Sequence, residues 1–128
     1  MNAEARRLGD EKYVLLTTYR KDGTPVGTPV WLAGEGDELV LWTERQSGKV
    51  KRIRRDGKVQ VQACDFRGSK THGPAVAGQA RLLDAADTER VRRAIERKYG
   101  IVGRVTMFFS RLRGPEDRTV GIAIALEA

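Results

Sequence analysis

Apolar and polar positions alternate with period two along several stretches of the chain, and turn residues bound each stretch. Tyr13–Tyr19 reads as a first strand, ended by the turn signal Lys21-Asp22-Gly23. Thr24–Ala33 returns as a second, but Pro25 and Pro29 sit four apart within it. Proline cannot donate to a ladder, so this is an edge strand or one whose proline positions face a ligand. Gly34-Glu35-Gly36-Asp37 turns into a third strand over 38–43, where Leu39, Leu41 and Thr43 share a face. Val59, Val61 and Ala63 then alternate with Gln60, Gln62 and Cys64 in a fourth strand, Lys58–Asp65. A loop rich in Gly and polar residues, from Arg67 to Gly73, leads through Pro74 into a fifth, about Ala75–Leu83.

The period changes to that of a helix in three further places. Residues 3–8 predict a short leading helix. Val50 and Ile53, one turn apart, mark a second over 47–55. A third starts at Asp84-Ala-Ala-Asp87-Thr88-Glu89, with acids where the macrodipole favours them, and carries Val91, Ala94, Ile95 and Tyr99 at helical spacing. Gly100 stops it, and an apolar helix over about 102–112 follows, ending before Gly114-Pro115. The last strand, Thr119–Leu126, sets Val120, Ile122, Ile124 and Leu126 against the small residues Gly121, Ala123 and Ala125. Something packs closely on that small face, either the protein's own core or another surface. Six strands, with one helix after the third and a helical pair before the last, do not alternate regularly. The pattern predicts a mainly β (α+β) fold, a six-stranded antiparallel barrel with appended helices.

Composition narrows the picture. The 128 residues predict a single domain spanning 1–128, with 1–9 as a short N-terminal helix or tail. No apolar run approaches a membrane span, and one cysteine forms no internal disulfide, so the cytoplasm is the expected location. One His and one Cys make no structural zinc site, and no metal is expected. A Cys64–His72 catalytic pair is conceivable, but Cys64 reads as an ordinary strand residue. The apparatus of hydrolysis is missing, so if the chain is an enzyme a bound cofactor carries the hard chemistry. The net charge of +7 calls for anionic partners. Nucleic acid is disfavoured, because three Phe, three Tyr and two Trp give a thin stacking platform and no reading motif occurs.

The anion has a more local address. Ser47 is a candidate cap, and the helix turns after it hold Lys49, Lys51 and Arg52 with no carboxylate among them. Cations crowded at a helix start are unfavourable alone and become favourable when an external anion sits there. Neither a GxxxxGK[ST] loop nor GxGxxG is present, so the anion is not a P-loop or Rossmann ligand.

As a set, Thr24-Pro-Val-Gly-Thr-Pro29-Val30-Trp31, Leu41-Trp42-Thr43, Ser47-Gly-Lys49-Val-Lys51-Arg52, Cys64-Asp65-Phe66-Arg67-Gly68 and Arg97-Lys98-Tyr99-Gly100 resemble a known family. It is the pyridoxamine-phosphate-oxidase-like split β-barrel superfamily, and within it the branch of coenzyme F420 (deazaflavin) dependent oxidoreductases. The resemblance runs from about residue 10 to 127. It implies that Thr43, Ser47, Lys49, Lys51 and Arg52 hold the cofactor phosphate and that Pro29, Val30 and Trp31 line its ring. It also implies that Phe66, Arg67, Gly68 and His72 border a small-molecule substrate pocket. The flavin branch usually places an Arg and a Lys in the second strand to hold FMN. Thr24–Trp31 has neither, which favours the deazaflavin, a longer polyanion suited to the basic stretch from Lys49 to Arg55.

The reaction so implied is hydride transfer between reduced coenzyme and a small organic acceptor. The alternatives are an FMN oxidoreductase on the same fold and a non-enzymatic flavin or deazaflavin carrier. Catalytic residues are not readable, His72 and Tyr19 being the candidate proton donors. The resemblance further implies a homodimer with shared cofactor sites.

Overall fold

The computed structural model describes residues 3–112 and 119–127, with side chains outside 101–112. In chain order the elements are α1 (Ala3–Gly9), β1 (Val14–Tyr19), β2 (Pro25–Val30), β3 (Ala33–Glu35) and β4 (Glu38–Glu44), followed by α2 (Gly48–Arg55). Then come β5 (Lys58–Cys64), β6 (Thr71–Leu82), α3 (Ala85–Leu112) and β7 (Thr119–Leu126). All strand pairs are antiparallel, in one sheet ordered β2-β1-β5-β6-β7-β4-β3.

That order forces the sheet to curl. β2 and β3 are its two edges, yet only residues 31–32 separate them in sequence. Laid flat, seven strands would put the edges roughly 29 Å apart at about 4.8 Å per neighbour. The step from Val30 to Ala33 spans at most about 11 Å of Cα trace. The sheet therefore bends into a split barrel whose open seam is bridged by Trp31 and Leu32.

The sequence predicted one strand over 24–33 and six in all, whereas the chain breaks there and makes seven. The reason is tertiary. Leu32 is buried, its N–H donates to the Tyr99 hydroxyl (3.1 Å), and its carbonyl accepts from the Lys98 ammonium (2.8 Å). Its backbone groups are thus satisfied from α3 rather than by a ladder.

The barrel interior holds Leu16, Leu41, Val59, Val61, Ile122 and Ile124, and α2 closes one end with Val50 and Ile53. Outside the barrel, Val91 and Ile95 of α3 pack on Val40 of β4 and Ala123 of β7. The small face of β7 is largely taken by this packing. Gly121 N–H donates to Thr88 Oγ1 at 2.9 Å, and a Cβ at Gly121 would stand 3.1 Å from Thr88 Cα. Only Ala125 of the three small residues is exposed.

Asp84 caps α3 by accepting from the N–H of Asp87 at 2.8 Å. Gly100 (φ 62°, ψ −136°) interrupts the helix, dividing it into the two predicted halves. Gly114 and Pro115 lie outside the described residues. Strand β6 starts at Thr71, earlier than predicted, so His72 and Gly73 belong to a strand rather than a loop. Gly73 and Pro74 read as a turn in sequence. Here the register of β5 and β6 shifts beside them, Gly73 has φ 71°, and Gln62 Nε2 donates to its carbonyl at 2.9 Å.

Candidate anion and cofactor site

The start of α2 departs from ordinary helix capping. Ser47 has the extended backbone of an N-cap (φ −67°, ψ 155°), and its carbonyl accepts from Lys51 N–H at 3.3 Å. A capping serine usually gives its hydroxyl to an N–H of the first turn. Ser47 makes no such bond, and its Oγ is buried with no hydrogen-bond partner. An unsatisfied buried hydroxyl costs about 1–3 kcal/mol, which a ligand oxygen in reach would recover.

The charges around it agree. No acid stands in the first turn of α2. Lys49 is half-buried, and burial pushes its ammonium below the usual lysine range; Arg52 pushes it further, against a smaller opposing effect of Glu44. Arg52 itself is held in place. Its Nε donates to Thr18 Oγ1 of β1 at 2.6 Å, and its guanidinium folds back over Gly48, where a Cβ would sit 2.9 Å from Nη1. The start of α2 thus carries a buried hydroxyl without a partner, Lys49, and the Arg52 guanidinium lying over Gly48. The donor set fits a phosphate oxygen cluster.

Ser47, Lys49 and Arg52 stand together within the N-cap and first turns of α2. Thr43 lies on β4 opposite Val120, and Lys51 is exposed on the outer side of α2. A second predicted group assembles elsewhere. Gly68 (φ 73°) approaches Pro29 so closely that a Cβ would lie 3.2 Å from the proline Cδ and from Leu15 Cδ1. This docks the 65–70 loop on β2. Asp65 braces that loop by accepting from Ser69 N–H at 3.0 Å. Phe66 stands 61% exposed at its tip, with the Arg67 guanidinium 5.2 Å from its ring centre.

Other predicted residues go their own ways. Val30 packs against the barrel core. Trp31 stacks on Tyr99, with ring centres 4.3 Å apart and planes 7° from parallel. Trp42 Nε1 is buried without a partner. His72 is exposed and meets Glu11 at 3.1 Å, so Glu11 and not Cys64 engages its ring. Cys64 is buried, which pushes its thiol up and makes it a poor nucleophile. Among the described residues no group of His, Cys, Asp or Glu could hold a metal ion, and no helix is long and apolar enough to cross a membrane.

Sequence reasoning missed Thr18. The available signal was its parity: Val14, Leu16 and Thr18 share the buried face of β1, and a lone hydroxyl on such a face calls for a partner.

A sequence model of the family described as pyridoxamine 5'-phosphate oxidase matches residues 1–125. The chain belongs to that family. Solved structures share its fold. The conserved hypothetical protein Rv2991 from Mycobacterium tuberculosis is 21% identical with a TM-score of 0.75, covering 100% of this chain and 82% of that one. An FAD-binding protein from Mesorhizobium loti is 19% identical with a TM-score of 0.64, covering 100% and 91%. A protein described as an F420 reductase is 18% identical with a TM-score of 0.59, covering 96% and 93%. No curated protein matches the chain.

Proposed function

We propose that this protein is an oxidoreductase that uses reduced coenzyme F420 to reduce a small organic acceptor. The observation that carries the reading is the buried, unpartnered hydroxyl of Ser47 at an acid-free helix start flanked by Lys49 and Arg52. It calls for a phosphate-bearing ligand. The family supplies the class of ligand, and the F420 reductase among the similar folds supports the deazaflavin. So does β2, which lacks the Arg and Lys expected of an FMN-binding strand.

When bound, the coenzyme supplies the hydride. The chain's own residues then bind and shield it. Ser47, Lys49 and Arg52 hold the phosphate, with Thr43 at the end of the preceding strand and Lys51 adding to the local potential. Pro29 and the edge of Trp31 offer apolar surface to the ring, and Val30, packed against the barrel core, backs the strand that carries them. The 65–70 loop, docked on Pro29 through Gly68, borders the acceptor with Phe66 and Arg67, and His72 lies beyond it. A second copy of the chain completes the cover, giving a homodimer with water excluded from the transfer.

Titration with coenzyme at fixed salt tests the reading. Lys49→Ala is expected to weaken binding by about 1.5–3 kcal/mol, the worth of a charge-assisted bond. Unchanged affinity would remove the phosphate assignment. A purified protein that is yellow with a flavin spectrum would replace F420 with FMN. Tight binding without turnover across an acceptor screen would make the protein a carrier.

A further inference from the structure

Thr18 is 1% exposed, on the inward face of β1, and its side-chain bond runs to the Nε of Arg52, 34 residues away, at 2.6 Å. Arginine is long and rotamer-rich, and its usefulness to a phosphate depends on the plane in which its fork is presented. Fixing Nε from the barrel interior fixes that plane. Nη1 then lies against Gly48, in space that any side chain at that position would fill. Gly48 has no positive φ to require glycine, so its backbone conformation leaves room for alanine. The space is what the glycine provides.

We propose that Thr18 and Gly48 are positioning residues of the anion site. Thr18 orients the Arg52 guanidinium, and Gly48 leaves open the first turn of α2 across which it lies. The fork of Arg52 and the ammonium of Lys49 are thereby set toward one phosphate. The inference rests on reading the start of α2 as a phosphate site. It adds two residues that touch no ligand and act through Arg52.

The test uses the full chain and inorganic phosphate as probe, with affinity measured by calorimetry and folding by thermal melting. Thr18→Val is expected to weaken phosphate binding roughly five- to tenfold, the loss of about one hydrogen bond's orienting effect. Thr18→Ser should stay within about twofold of wild type, since the hydroxyl is kept. Combined with Arg52→Ala, Thr18→Val should add nothing, because its route to the ligand is gone. Gly48→Ala should lower phosphate affinity while leaving the melting temperature nearly unchanged, because what must shift is the far end of the Arg52 side chain and the helix preference of alanine offsets the bond that Arg52 loses. A loss of affinity without a loss of stability does not come from general loosening. Wild-type affinity in Thr18→Val, or a Thr18→Val effect that persists in the Arg52→Ala background, would overturn the role of Thr18. Should Thr18→Val not fold, Thr18→Ser and Gly48→Ala decide. Unchanged phosphate affinity in Lys49→Ala and Arg52→Ala would defeat the anion site itself. Loss in Lys49→Ala with no change in Thr18→Val or Gly48→Ala would defeat the positioning alone.

Discussion

The Lys98 ammonium lies 2.8 Å from the carbonyl oxygen of Leu32. The same ammonium donates to the carbonyls of Gly9, at 2.7 Å, and Glu11. A single cation on α3 thus ties the end of α1, the approach to β1 and the bridge between β2 and β3. No carboxylate accepts from it in these bonds. It acts as a three-way hydrogen-bond hub, and burial pushes it below the ordinary lysine range.

Replacing Lys98 by Met keeps most of the aliphatic stem and removes the three donors. Three partly buried carbonyls then lose their partner, and water can reach some of them. Chemical denaturation should show a loss of about 2–3 kcal/mol. A loss below roughly 0.5 kcal/mol would mean that the hub is replaceable by solvent.

Tyr99 is expected to make stability fall in strong alkali. Burial pushes its phenol up to about 12 from the ordinary 10.0. A raised value means that the folded state holds a proton the unfolded chain has already released. The stabilisation is complete below pH 10.0 and is lost as pH rises toward about 12. Lys98 works in the opposite sense, because its folded value lies below 10.5, so stability gained from its deprotonation rises with pH up to there. Comparing wild type with Tyr99→Phe across this range isolates the phenol. The gap between the two should narrow as pH rises, because only the wild type loses stability as the phenolate forms.

Gly121→Ala should destabilise the chain by about 1–3 kcal/mol, the usual cost of forcing an extra methyl into close packing. Its Cβ would stand 3.1 Å from the Thr88 Cα, a backbone atom that cannot swing aside. Thermal melting checks this. A neutral result would show that α3 can slide outward on the sheet.

The proposed homodimer is read by sedimentation at micromolar concentration. The contact is expected to bury well above roughly 1,000 Å². A species of 14.3 kDa that still binds coenzyme tightly would show that one chain completes the pocket alone.

Alternation revealed the strands because each has one face in the barrel core, as with Leu39, Leu41 and Val59, Val61. The interruption at Trp31–Leu32 was hidden. Val30-Trp31-Leu32-Ala33 is apolar throughout, and what ends the strand is a pair of α3 side chains far along the chain. The early start of β6 was masked by Gly73-Pro74, which read as a turn and serve as an irregularity within a strand. The charge pattern of α2 was legible because it is local. The bond from Arg52 to Thr18 was not, since it depends on which end of the barrel α2 closes. Trp31, expected along the cofactor ring, already has one face committed to Tyr99.

The two-residue bridge at 31–32 also makes the barrel a closed circuit in which neighbouring strands are joined by very different lengths of chain. β1–β2, β3–β4 and β5–β6 are hairpins, while β4–β7 joins Glu38 to Ala125. Cutting the chain between Trp31 and Leu32, and rejoining the original ends through a linker, would leave every ladder its own partner. It would remove the two-residue tether that compels the sheet edges to meet. Such a permuted chain would separate curvature imposed by connectivity from curvature that the side chains choose for themselves.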